Sequence, residues 1–270
     1  MGKQLRACLV TNITFVWRNR LPVVVGSLFL GMALLTMLPA FFLATPGKHL
    51  LLLRQLVSTL NGCVYWLSGA IALLTLSHHL RSRSVKLVLT KPCPLEVWLL
   101  SNFLSVLAIA FVLDAIIWLA GVGCSALWGL PVQQGLAYLS FESFCRTVIV
   151  CAYLILLTTL FHPAVAVLVA VMFQEGTFYM MLVWLTAAVQ ATGGPAVPPI
   201  LVALKQAFEA FYFLLPSYAP FLMDTAGVHQ SLRIGAGDLA HLGTTLLYAV
   251  CFASFCFWGS DLVLRRKRLT

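Results

Sequence analysis

The chain has 270 residues, of which 61% are hydrophobic and only 9% are charged, and its mean hydropathy is +0.98. A soluble domain carries about 25% charged residues, so this chain lacks the charge to cover a water-facing surface. The composition therefore excludes a soluble globular protein. It predicts an all-α integral membrane protein, because a helix satisfies its own backbone hydrogen bonds within lipid.

The net charge of +9 comes from basic residues that cluster beside apolar runs. This distribution is typical of residues that set membrane topology and contact lipid headgroups. The sequence has no basic stripe interleaved with aromatic residues and no zinc-finger spacing, so nucleic acid is not an expected partner. The eight cysteines form no CxxC pair, which predicts neither a disulfide framework nor a metal cluster.

The N-terminal segment, residues 1–20, has the pattern of an amphipathic helix. Such a helix is expected to lie along the membrane surface with its apolar side in the acyl boundary. The apolar run that follows, residues 21–44, is longer than the roughly 7–15 residues of a signal-peptide core, so we interpret it as a retained span. The apolar positions of the amphipathic segment are Leu5, Leu9, Ile13, Val16 and Trp17.

Hydropathy predicts six membrane spans in a single transmembrane domain that covers residues 1–270. About 20 apolar residues are needed to cross a bilayer. A single helix over residues 140–189 would be about 75 Å long, so a turn is required at His162-Pro163. The predicted spans are 21–44, 56–77, 97–121, 140–161, 163–189 and 239–263.

The distribution of Lys and Arg predicts the orientation of these spans. With the N-terminus inside, most basic residues fall on the inner side, and the positive-inside rule then places both termini in the cytoplasm. The inner residues are Lys3, Arg6, Arg18, Arg20, Arg81, Arg83, Lys86, Lys91, Arg265, Arg266, Lys267 and Arg268, and the outer ones are Lys48, Arg54, Lys205 and Arg233.

The loop between the second and third spans, residues 78–96, is the longest basic interruption in the first half of the chain. A short helix over residues 82–90 would place Val85 and either Val88 or Leu89 on one side and Arg83 and Lys86 on the other. Pro92 and Pro94 would end it, because proline lacks an N–H and disfavours a helical residue before it. The loop is either a docking surface for a partner or a solvated connection, and the spacing favours neither.

The outer segment, residues 190–238, differs from an ordinary loop. A helix is predicted over residues 200–215, with Lys205 and Glu209 four positions apart as a weak ion pair. This helix is too short and too polar to span, which favours a re-entrant or interfacial segment on the outer side before the last span.

Charged and polar residues inside the spans are candidates for a translocation path, because burying charge in a membrane is costly. Asp114 and Arg146 both lie about 10 Å below the outer boundary, so we expect them to face one another, with Glu142 one turn above Arg146. A purely structural pair is the alternative. Gln174 and Glu175 lie within the fifth span, where Glu175 must face protein or water, or carry a proton.

Catalytic signatures are missing from the sequence. The six histidines include no pair four positions apart, and only His241 lies clearly inside a span, which argues against haem or metal ligation. The sequence contains no H-E-x-x-H, no G-x-S-x-G and no P-loop. Any dependence on ATP must therefore come from another polypeptide.

The layout resembles the membrane subunit of a type-2 ABC transporter, the six-span exporter-style permease. A surface helix precedes the first span, and an outer re-entrant segment precedes the last. The inner loop LRSRSVKLVLTKPCPLEVWLLSNFLS and the tight hairpin LILLTTLFHPAVAVLVAVM are similar to the corresponding parts of that family. The likeness covers nearly the whole chain.

This resemblance implies a function, partners and a location. Residues 80–91 would form a coupling helix that docks in the cytoplasmic ATPase, and the surface helix would pack beside it. ATP and magnesium would bind the ATPase, and this chain would carry no cofactor of its own. A second permease, as a homodimer or a related subunit, and membrane lipids would be further partners in a bacterial inner membrane. The coupling residues would be Arg81, Arg83, Val85, Lys86 and Leu89.

One feature departs from the family pattern, and two other functions stay open. His78-His79 and Cys93-Pro94-Leu95-Glu96 stand where family members often have an acidic residue and an arginine after the proline, so the docking contacts are expected to differ from the family's. Because the loop is basic, acidic residues are expected in the ATPase groove. A membrane-embedded redox or hydrolytic enzyme subunit using intramembrane Glu and His residues is the first alternative. A non-transporting membrane scaffold is the second. The sequence does not indicate a substrate.

Overall fold

The computed structural model describes residues 2–18, 24, 27–28, 31, 35, 49–81, 94–131, 133–172, 175–191, 199–214, 232 and 234–269. Within these residues the secondary structure is entirely helical, as the sequence predicts. The helices are α1 (Gly2–Arg18), α2 (His49–Arg81), α3 (Leu95–Leu127), α4 (Gln133–Leu160), α5 (Pro163–Met172), α6 (Glu175–Ala191), α7 (Pro199–Leu214) and α8 (Ala236–Leu269).

Four of these helices are long and apolar enough to cross a membrane. Their apolar stretches are His49–His78 of α2, Leu95–Leu127 of α3, Gln134–Leu160 of α4 and Gly237–Arg266 of α8. They correspond to the predicted second, third, fourth and sixth spans. Four helices of this length and composition indicate a membrane protein.

The other two predicted spans are described only in part. The stretch predicted as the fifth span, residues 163–189, contains the two shorter helices α5 and α6, and residues 173 and 174 between them lie outside the description. Most of the predicted first span, residues 21–44, also lies outside it. The predicted outer helix is present as α7, with Lys205 Nζ and Glu209 Oε1 3.6 Å apart.

Local chemistry explains several helix ends. After α3, Gly129 has a φ of +65°, a conformation that glycine adopts without steric cost, and Leu130 N–H donates to the Ser125 carbonyl at 2.8 Å. Pro163 begins α5, where its missing N–H is not needed. The predicted turn at His162-Pro163 is therefore confirmed, and His162 Nδ1 accepts the Ala164 N–H at 3.3 Å.

Helices α2, α3, α4 and α8 form the bundle, with α4 packed against the other three. We call the end of the bundle that carries α1 the proximal end and the opposite end the distal end. The proximal core includes Val16, Ile71, Leu76, Trp98, Phe103, Ile155 and Cys256. The distal core includes Leu53, Val57, Val64, Ile117, Leu136, Tyr138 and Leu232.

Two glycines allow close approaches at the distal end. A Cβ on Gly121 of α3 would lie 3.3 Å from Val57 Cγ2 of α2 and 3.5 Å from Leu136 Cδ1 of α4, so the three helices meet at this level. A Cβ on Gly135 would lie 2.0 Å from the carbonyl oxygen of Leu232. Only glycine permits that second approach, since no real Cβ comes so close to a backbone atom.

Helix α1 is amphipathic, as predicted, but its most buried side packs on protein. Asn12 and Val16 are buried, and Val16 belongs to the proximal core beside α3. Trp17, which the sequence pattern placed with Val16, is 73% exposed. The apolar positions of α1 are thus divided between the bundle and its surroundings.

Candidate functional site

A buried ion pair lies in α4. Arg146 Nη2 donates to Glu142 Oε1 one turn earlier on the same helix, so the predicted placement of Glu142 beside Arg146 holds. Glu142 is 3% exposed, whereas the Arg146 side chain is 29% exposed. The pair neutralises both charges inside the bundle, and Arg146 keeps partial access to the exterior.

Asp114 of α3 does not pair with Arg146. Asp114 is buried, and neither of its carboxylate oxygens accepts a hydrogen bond from any residue that the structure describes. The predicted contact between the two side chains is therefore wrong as a hydrogen-bonded pair. Depth along a helix can be read from sequence, but the rotation of the helix about its axis cannot, and Arg146 meets Glu142 on its own helix.

A hydrogen bond between α4 and α8 lies on the same stripe as the ion pair. Tyr138 Oη and His241 Nδ1 are 2.9 Å apart, and Tyr138 precedes Glu142 by one turn. Sequence reasoning did not find this contact. The available signal was the position of His241, a histidine inside a predicted span that needs a polar partner there.

Further buried side chains carry a polar atom without a hydrogen-bond partner in the described part of the chain, and all of them are at least nine-tenths buried. They include Asn61 and Ser68 on α2, Asn102 on α3 and Ser140 on α4, with the atoms Asn61 Oδ1, Ser68 Oγ, Asn102 Oδ1 and Ser140 Oγ. An orphaned buried polar group is destabilising, so such a group calls for an explanation.

At the proximal end, contacts between side chains join four helices, α1, α2, α3 and α8. Asn12 Nδ2 of α1 donates to Ser101 Oγ of α3 at 3.2 Å. The rings of Phe15 and His78, on α1 and α2, have centroids 4.8 Å apart. Arg265 of α8 forms an ion pair with Glu96 in the first turn of α3.

The predicted coupling residues themselves are largely outside the described residues. Arg81 is the last residue of α2, while Arg83, Val85, Lys86 and Leu89 lie in the undescribed segment 82–93. The ends of this segment are nevertheless placed, since α2 ends at Arg81 and α3 begins at Leu95. Both ends touch α1.

The other predicted path residues are Gln174 and Glu175. Glu175 is the first residue of α6, and Gln174 lies outside the described residues. Helix α6 packs against α7, and an open apolar groove lies between them. Its lining consists of Met180, Met181, Trp184, Leu185, Leu204 and Phe208. A groove of this composition suits an apolar chain better than a polar solute, because methionine and aromatic side chains offer adaptable apolar contacts.

The described residues contain no group of three or more His, Cys, Asp or Glu that could hold a metal ion. Compared with known proteins, the chain matches no protein-family model and no curated protein sequence.

Proposed function

We propose that this chain is the membrane-spanning permease subunit of an ATP-driven transporter of the type-2 ABC class. It would cross the membrane six times, with both termini in the cytoplasm of a bacterial cell and residues 190–238 as an outer re-entrant segment. The chain would bind cytoplasmic ATPase subunits and a second permease. ATP and magnesium would bind the ATPase.

The observation that supports this proposal best is the set of side-chain contacts that link α1, α2, α3 and α8 at the proximal end of the bundle. A coupling element must transmit force from a small loop to long membrane helices, so the helices that flank the loop must be fixed to their neighbours. Here the two flanking helices are fixed to α1 through Asn12–Ser101 and Phe15–His78, and α3 is fixed to α8 through Glu96–Arg265. A displacement of residues 82–93 would therefore reach α1, α2, α3 and α8 together.

The proposed mechanism begins with ATP binding to the partner ATPase. Closure of the ATPase dimer on ATP would push on residues 80–91 and tilt the first, second and fifth spans. Substrate would pass along the interface between two permeases. ATP can drive the change only because it binds one of two conformations more tightly than the other.

The basic character of the loop supports an acidic groove as its docking partner. Opposite charges on two surfaces accelerate and orient association, and reversal of one set produces repulsion. The test is a triple charge reversal, Arg81→Glu, Arg83→Glu and Lys86→Glu, in the full chain. Lys205→Glu on α7, which the proposed topology places on the other side of the membrane, is the control.

Wild-type chain and the Lys205→Glu variant should co-purify with a P-loop ATPase and alter its rate of ATP hydrolysis. The triple variant should reach the membrane at the same level and lose both properties. Retained co-purification and retained control of hydrolysis in the triple variant would contradict the proposed docking surface.

A further inference from the structure

The apolar groove between α6 and α7 has the size of a ligand site. Its volume is about 530 Å³, and sites for small organic molecules measure roughly 300–1,000 Å³. Each helix contributes one stripe of side chains, because residues four positions apart on a helix lie on the same face. The stripe of α6 consists of Met180, Met181, Trp184 and Leu185, and that of α7 consists of Leu204 and Phe208.

The lining of the groove is open to the surroundings rather than covered by protein in the described part of the chain. Trp184 is 78% exposed, Met180 63% and Leu204 47%. Large apolar side chains of this kind need an apolar partner, and methionine adapts to a flexible one. In a membrane protein the acyl chain of a lipid meets both requirements.

A pair of opposite charges borders the α7 side of the groove. Lys205 and Glu209 directly follow the lining residues Leu204 and Phe208 along the chain, so the charged stripe runs beside the apolar one. Lys205 Nζ and Glu209 Oε1 are 3.6 Å apart, and the side chains are 29% and 44% exposed. Because accessible charges avoid the hydrocarbon interior, this part of α7 belongs at the level of the lipid headgroups.

Charge complementarity identifies the class of lipid that fits both stripes. A fatty acid or an anionic phospholipid would be attracted by Lys205 but repelled by Glu209, which is the more exposed of the two. A zwitterionic phospholipid carries a phosphate and an ammonium group that are separated by two carbon atoms. Its phosphate can approach Lys205 while its ammonium approaches Glu209, so each charge of the headgroup meets an opposite charge.

We propose that the groove between α6 and α7 binds an acyl chain of a zwitterionic phospholipid whose headgroup rests on the Lys205–Glu209 pair. The apolar lining provides most of the affinity, because the chain covers exposed apolar surface. The ion pair selects the headgroup. A chain that contacts both helices also stabilises their packing. This site does not depend on the proposed ATPase partner.

The first test measures quenching of Trp184 by brominated lipids in the purified full chain in detergent. Bromine atoms on an acyl chain quench tryptophan fluorescence only at short range. The quenching that is present in wild type and missing in Trp184→Phe therefore reports occupancy of the groove. It should saturate with rising brominated phosphatidylcholine, and brominated phosphatidylglycerol should require an about 5-fold higher concentration, as expected for one repelling charge at the headgroup.

Substitutions in the two stripes separate the roles of headgroup and chain. Glu209→Gln should raise the affinity for phosphatidylglycerol by about 5-fold, and Lys205→Gln should lower the affinity for both lipids by a similar factor. Leu204→Gln should weaken phosphatidylcholine binding by about 10-fold, because it removes apolar contact area from the groove. The matched control is Leu247→Gln, which changes an exposed leucine of α8 outside the groove and should bind as wild type does.

Three results would overturn the proposal. Quenching of Trp184 that does not saturate and is equal for the two lipids would show only ordinary contact with surrounding lipid. Equal affinities of wild type, Leu204→Gln and Leu247→Gln would show that the groove does not hold the chain. Absence of Trp184 quenching, together with a dimer that Leu204→Gln dissociates, would assign the groove to a second copy of the protein.

Discussion

Replacement of Glu142 by glutamine tests whether the buried ion pair between Glu142 and Arg146 on α4 stabilises the folded protein. Loss of one partner from a fully buried ion pair costs about 3–5 kcal/mol, and loss from an exposed pair costs about 0.2–1 kcal/mol. Glu142 is buried, but the Arg146 side chain is 29% exposed and can turn toward polar surroundings. We therefore expect Glu142→Gln to reduce the free energy of unfolding by about 2–3 kcal/mol, between those limits.

The surface pair on α7 provides a matched control. Lys205 and Glu209 have the same spacing of four positions, but Glu209 is 44% exposed. Glu209→Gln should lower the free energy of unfolding by no more than about 0.5 kcal/mol. Thermal unfolding in detergent, followed by tryptophan fluorescence, should show a midpoint lowered by about 5–10 °C for Glu142→Gln and by about 2 °C or less for Glu209→Gln.

A double-mutant cycle identifies the interaction itself. Arg146→Gln in the Glu142→Gln background should cost less than Arg146→Gln alone, because the charge partner has already been removed. Equal losses for Glu142→Gln and Glu209→Gln, or additive losses in the cycle, would refute the reasoning that burial makes this pair important.

Two further substitutions probe contacts at the distal end. Gly135→Ala places a Cβ against the Leu232 carbonyl and should lower the free energy of unfolding by about 1–3 kcal/mol, measured by thermal unfolding. The control is Gly123→Ala, whose Cβ would meet nothing within 4 Å and which should not lower the unfolding midpoint. Equal effects of the two substitutions would mean that residue 232 does not lie against α4. Tyr138→Phe removes the hydrogen bond to His241 and should cost about 0.5–1.5 kcal/mol in the same assay, whereas an unchanged midpoint would show that the α4–α8 bond contributes nothing.

The positions of the helices were largely predictable, because the length and composition of an apolar run are enough to identify a segment that can cross a bilayer. Four predicted spans coincide with helices of sufficient length. The turn at His162-Pro163 followed from the same limit on length. The end of α2 at Arg81 and the start of α3 at Leu95 bracket the predicted inner loop.

The polar contacts between helices were harder to predict, because they depend on how each helix is rotated. The pair Glu142–Arg146 could be predicted, because two residues four positions apart on one helix are neighbours on its surface. The pair Asp114–Arg146 forms no hydrogen bond, and Tyr138–His241 was missed, because each contact depends on the relative rotation of two helices. The sequence does not indicate that Ser68 and Ser140 lack hydrogen-bond partners, because a serine in a helix usually donates to a carbonyl of its own backbone.

The side of the membrane on which Lys86 lies tests the account most directly. In a chain whose native cysteines are replaced by alanine, Lys86→Cys and Lys205→Cys should be labelled from opposite sides by a membrane-impermeant thiol reagent. We expect the reagent to reach position 86 only from the cytoplasmic face, in inverted membrane vesicles, and position 205 only in intact cells whose outer membrane has been opened. Labelling of position 86 from the outer face would contradict the account, because no cytoplasmic ATPase could then contact residues 82–93.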